Sequence, residues 1–150
     1  MNLEVMLPRV MAEGLLIVMA VPDIRKRRIP VLFLALGAAP VTLSLLFKII
    51  AKEPAMMTLL GVLSGITPGI MLILAGRLTG KVGAGDGIVI IMLGVIEGWR
   101  GALVILAMSC LLLSLVSIVL LTLKKVNGKT GMPFVPAMCV GYLIWMVGFG

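Results

Sequence analysis

Residues 101–123 read GALVILAMSCLLLSLVSIVLLTL, a run without one charged side chain. A helix needs about 20 apolar residues to cross the hydrocarbon core of a bilayer. This run meets that length, so it reads as a transmembrane helix, placed at 100–123. Just before it, Glu97-Gly98-Trp99-Arg100 is a short polar break. Upstream of that break, residues 83–97 form another apolar stretch, short and flanked by glycines. Working outward in both directions gives further spans at 3–22, 30–50, 55–75 and 133–150. The connections are short, and no linker or internal repeat is visible. The expected fold is a single domain, 1–150: an all-α integral membrane bundle of about six transmembrane helices.

Composition agrees. The chain is 61% hydrophobic with mean hydropathy +1.26. Charged residues make up 13%, about half the usual soluble share. A soluble domain of this size could not hide that much apolar surface. The net charge of +7 would raise nucleic acid as a partner in a soluble protein, but here short topogenic loops explain it and no nucleic acid is implied. Arg25, Lys26, Arg27, Arg28, Arg77, Lys81, Lys124, Lys125 and Lys129 follow spans one, three and five. They are nine of the 13 basic residues. The other side holds Arg9, Lys48, Lys52 and Arg100. The positive-inside rule puts the first set in the cytoplasm and both termini outside, in the cell membrane. The first apolar run ends in a basic cluster and not in a small-residue cleavage site, so it is expected to remain as a span.

Several chemistries are poorly served by this chain. It has no histidine, which removes Ser-His and Cys-His catalysis and most transition-metal sites. Cys110 and Cys139 stand singly inside apolar runs, so neither a zinc site nor a disulfide framework is supported. The 12 methionines are scattered and suit adaptable packing better than a thioether metal site. No metal or cofactor is called for. Gly61, Gly65 and Gly69 repeat every four residues in span three, a small-residue ridge on which a second helix can pack closely. Pro68 in the same span is expected to kink it.

Two aspartates remain, Asp23 and Asp86, the only ones in 150 residues. Each sits at the edge of a span, and the topology puts both at the cytoplasmic face although they are 63 positions apart. A carboxylate beside lipid is costly and marks a functional candidate. Asp86 closes Gly83-Ala84-Gly85-Asp86-Gly87, where glycines permit the close approach of another backbone. The same spacing also suits a plain helix start with Asp86 as cap or first-turn acid. Asp23 could equally be a loop charge paired with Arg27 one turn on.

Taken together the residues resemble a known family. Asp23 is followed by Ile29-Pro30, then Gly83-x-Gly85-Asp86 about 60 residues on, and late in the chain Met132-Pro133-Phe134-Val135-Pro136. This order resembles the type IV prepilin peptidases, membrane aspartyl proteases of the GxGD type, over nearly the whole chain. The resemblance implies that Asp23 and Asp86 are the catalytic pair and that no metal is used. It implies that Gly83, Gly85 and Gly87 give a substrate backbone room beside the acid. Ile29, Pro30, Pro133, Phe134 and Pro136 would shape the supporting turns. It further implies a prepilin-like membrane substrate, whose short basic leader is cut at the cytoplasmic face. The branch implied is the short, peptidase-only one serving Flp or tight-adherence pili. Val31 stands where the family usually has Asn, and Ile88 where a Lys is common. A different class of function is also compatible with two membrane acids: a small carrier or pilus-assembly component handling ions or protons. Carriers more often place acids near the midplane within inverted repeats, and here the acids lie at one edge.

The remaining charges read as structural. Glu13 lies near the middle of span one and Arg9 is one turn before it, so the two are expected to pair. Glu97 and Arg100 are expected at the membrane interface, with Trp99 and Trp145 as interfacial anchors.

Overall fold

The computed structural model describes residues 3–26, 31–80, 83–123 and 133–149, and within them every regular element is helical. The helices are α1 (Leu3–Lys26), α2 (Val31–Leu36), α3 (Ala38–Ile50), α4 (Ala55–Thr79), α5 (Ala84–Thr122) and α6 (Val135–Gly148). Four stretches are long and apolar enough to cross a membrane: Leu3–Arg25, Val31–Ile50, Ala55–Thr79 and Ala84–Thr122. Val135–Gly148 is a shorter apolar helix. Large apolar side chains point outward along these helices, among them Met57, Leu63, Met71, Leu78, Leu115 and Ile118. In water such a surface would drive association; against lipid tails it is the natural exterior.

The 39 residues of α5 would span about 58 Å as one straight helix, roughly twice the hydrocarbon thickness. The chain breaks instead at Gly98, where φ is 75° and ψ 179°, a conformation essentially reserved for glycine. The two halves fold back on each other there. A Cβ on Gly94 would lie 3.3 Å from the Cβ of Ala102, positions about 12 Å apart along an unbroken helix. The polar break at 97–100 therefore separates two passages, as the sequence suggested. Gly37 interrupts the second span more gently, as a turn between α2 and α3 whose N–H still reaches Phe33 O.

The glycine ridge of α4 meets the first half of α5. A Cβ on Gly65 would overlap the Gly94 carbonyl, and one on Gly69 would overlap Ile91 and crowd the Gly87 carbonyl. Gly61 has open space around it, so two of the three ridge glycines form the contact. Pro68 is buried inside α4, whose helix is continuous through it. The core joins Ala12, Leu16 and Met19 of α1 to Val89, Ile90 and Leu93 in the first half of α5. Ala102 and Ile105 in its second half, and Phe134, Val135, Met138 and Tyr142 around α6, complete it.

Candidate active site

Asp23 was expected just beyond the first span. Instead α1 runs through Pro22 and ends at Lys26, so Asp23 projects from the last turn of a helix. Proline inside a membrane helix is tolerated where neighbouring groups satisfy the freed backbone. The Asp23 side chain is inward, with the residue 5% exposed. Its Oδ2 accepts a hydrogen bond of 3.0 Å from the backbone N–H of Val135. Val135 opens α6, so the carboxylate sits on the first free donor of that helix, where the helix dipole also favours negative charge. The sequence around it explains why this donor is free. Pro133 and Pro136 have no N–H, Phe134 is packed into the core and Val135 is fully buried. The signal in the sequence was the proline spacing, but nothing there pointed to a partner 112 positions away.

Asp86 lies in the first turn of α5 and is half-buried. Its carboxylate turns back toward Gly83, the residue capping the helix, whose backbone hydrogen-bonds to it. A third-position acid reaching back to the cap is one arm of a capping box. The helix-start role read from the sequence is therefore present, alongside a second feature. The Asp23 carboxylate lies near enough for its charge to act on Asp86. The bundle thus brings the two aspartates together in one partly buried setting at the end of α1 and the start of α5.

The surrounding motif residues divide. A Cβ on Gly83 would stand 3.4 Å from Asp86 Oδ2, an ordinary van der Waals distance that a side chain could occupy. Gly85 is half-buried in the first helical turn. Gly87 is taken up by packing, since a Cβ there would overlap Ile73 and touch the Gly69 carbonyl at 3.0 Å. Val31 is strongly exposed at the start of α2 and Ile88 is half-buried. Ile29, Pro30 and Arg27 lie outside the described residues.

A second polar cluster lies at the far end of the bundle, and it corrects one expectation. Arg9 does not pair with Glu13. Its Nη2 reaches Glu97 Oε2 at 2.7 Å, because Gly98 turns α5 back beside the start of α1. The Glu97 side chain is 0% exposed. Tyr142 Oη donates to Glu97 Oε1 at 2.9 Å, and Trp145 Nε1 donates to Oε2 at 2.8 Å. Trp145, read as an anchor, is thus half-buried and bonded inward, while Trp99 is 49% exposed. Glu13 instead accepts from the Cys139 thiol at 2.9 Å through Oε1, and its buried Oε2 has no partner among the described residues.

The chain matches the type IV leader peptidase family over residues 11–123. That interval contains both aspartates, and α6 lies beyond it. No curated protein and no solved structure matches the chain.

Proposed function

The chain belongs to the type IV leader peptidase family, and from that premise we propose that it is an aspartic endopeptidase with Asp23 and Asp86 as its catalytic pair. One observation carries the assignment of residues. Two carboxylates separated by 63 positions of mostly apolar sequence come within each other's electrostatic reach. Keeping two acids together in a partly dry place is costly, and a bundle needing only helix caps has no cause to bear it. Aspartyl proteolysis needs this arrangement. Two neighbouring acids share about one proton; the ionised one takes a proton from the attacking water, and the protonated one polarises the scissile carbonyl.

The geometry also suits a substrate with a leader and a membrane helix. Both acids sit at helix ends, not midway along a span, with the basic residues Arg25 and Arg77 on the same side of the bundle. By the positive-inside rule this side is cytoplasmic. A prepilin-like protein would present its leader junction at that depth while its apolar helix stays in lipid. The Flp or tight-adherence class is the substrate we assign, with no cofactor needed.

The test is leader removal from a co-expressed prepilin of the same genome, followed by gel shift. Cleavage is expected with the wild type and none with Asp23→Asn or Asp86→Asn at equal membrane levels. General acid–base groups each contribute about 10²–10⁴-fold, so residual processing should be undetectable on a gel. Equal processing by all three proteins would reject the aspartyl mechanism.

A further inference from the structure

At the end of the bundle away from the aspartates, a cavity of about 120 Å³ opens between α1, α3 and the fold of α5. Its polar lining is Glu4, Arg9, Ser44, Lys48 and Glu53, set among Val5, Pro8 and Phe47. Ser44 is 7% exposed, and among the described residues no hydrogen bond holds its hydroxyl. Lys48 donates once, from Nζ to Val95 O at 3.3 Å, and an ammonium has three donors. Arg9 is held in place by Glu97, and a guanidinium has donors beyond the one used there. Among the described residues Arg9–Glu97 is the one ion pair. Lys48, Glu4 and Glu53 therefore face the cavity without an oppositely charged protein partner.

The charges are layered. Glu4 lies five residues nearer the start of α1 than Arg9, and Glu53 five residues beyond Lys48, past the end of α3. Along α1 five helical residues correspond to about 7.5 Å, and Glu53 stands in the turn past the end of α3. The cations and Ser44 thus sit deeper and the two carboxylates sit outside them. The turn after α3 helps to set this order. Lys52 adopts φ 55°, with its N–H on Ile49 O and the Glu53 N–H on Lys48 O. This is a Schellman motif with lysine in the left-handed position usually given to glycine, and it turns Glu53 back over the helix end. Flanking the cavity, Val5, Ile49 and Ile50 expose apolar surface to the exterior.

We propose that this cavity binds the headgroup of a zwitterionic phospholipid bearing a primary amine, with the phosphate on Lys48, Arg9 and Ser44 and the ammonium on Glu4 and Glu53. Along such a headgroup the phosphate is joined to the glycerol and the amine lies two carbons beyond it, so a headgroup entering amine-outward presents its charges in the same order as the protein's. Its acyl chains would run down the exposed apolar flanks. A purely anionic headgroup would satisfy the cations and meet repulsion from both carboxylates. A quaternary ammonium would lack the N–H groups that the carboxylates accept.

Native mass spectrometry of the full chain, after exchange into phosphatidylethanolamine, phosphatidylglycerol or phosphatidylcholine, tests this. Wild type should retain phosphatidylethanolamine about fivefold over either alternative, the scale set by one or two semi-exposed charge contacts. Lys48→Gln should lose the retained lipid. The double variant Glu4→Gln/Glu53→Gln, on exposed positions that leave folding intact, should reverse the preference toward phosphatidylglycerol. Added inorganic phosphate should not displace the lipid; displacement would assign the site to the free anion. Equal retention of all three lipids by wild type, or an unchanged preference in the double variant, would overturn the proposal.

Discussion

The bundle holds buried carboxylates at both ends, and the two ends treat them in opposite ways. Glu97 receives three donors from two helices: Arg9, Tyr142 and Trp145. Its charge is neutralised and its oxygens are occupied, so it holds α1, α5 and α6 together. Asp23 and Asp86 have backbone contacts only, from Val135 and Gly83, and face each other's charge. No cation among the described residues is bonded to either. Acceptor capacity left over beside a like charge is unfavourable for stability and useful for proton transfer. Burial alone therefore does not separate a structural acid from a chemical one; the donor inventory does.

Neutralising one acid at each end, with activity and stability read together, separates the two roles most strongly. Asp86→Asn should abolish leader cleavage, a loss of 10³-fold or more, while the thermal midpoint in detergent stays level or rises because a like charge has gone. Glu97→Gln should do the reverse. It strands Arg9 in a buried place and puts an amide N–H₂ where two donors already point. Removing one partner of a buried ion pair costs about 3–5 kcal/mol, so the midpoint should fall sharply, with cleavage falling only as the folded fraction does. If Asp86→Asn lowered the midpoint as Glu97→Gln does, the aspartates would belong with the structural acids.

A subtler effect should follow from geometry. Asp23→Glu keeps the charge and adds one methylene, moving the carboxylate away from the Val135 N–H or away from Asp86. A displacement near 1 Å can cost about 10²-fold, so kcat should fall by that order with a small change in stability. Full activity in this variant would mean that the Val135 contact does not position Asp23.

The sequence revealed the aspartate end far better than the glutamate end, for physical reasons. An acid bordering a long apolar run is conspicuous, because so few charges survive there. The break at Gly98 was legible because Glu97 and Arg100 interrupt hydropathy on both sides of a glycine. The Gly65 and Gly69 ridge announced a close approach, although its partner, Gly94 with Gly87, could not be read. The Glu97 cluster was missed because its bonds span 88, 45 and 48 positions. One-turn spacing suggested Arg9 with Glu13, a local rule that the fold overrides. The Cys139 contact of Glu13 spans 126 positions and left no trace in the local pattern. Likewise the first span was expected to end at residue 22, yet α1 continues through Pro22 to Lys26.

Glu13 is the intermediate case and gives the smallest effect. One of its oxygens accepts from the Cys139 thiol, a weak donor, and the other is buried without a partner among the described residues. It has neither the full donor set of Glu97 nor a second acid beside it as Asp23 has. A half-satisfied buried polar group is worse than an apolar one of similar size. Glu13→Leu should therefore leave the midpoint level or raise it, by up to about 1 kcal/mol of stability, with cleavage held within about twofold. Each alternative result would move Glu13 to one end of the comparison. Destabilisation on the scale of Glu97→Gln would mean that the second oxygen is satisfied and that Glu13 joins the structural acids. Unchanged stability with lost cleavage would mean that its spare acceptor serves the chemistry, and the reactive end of the bundle would extend about half the length of α1.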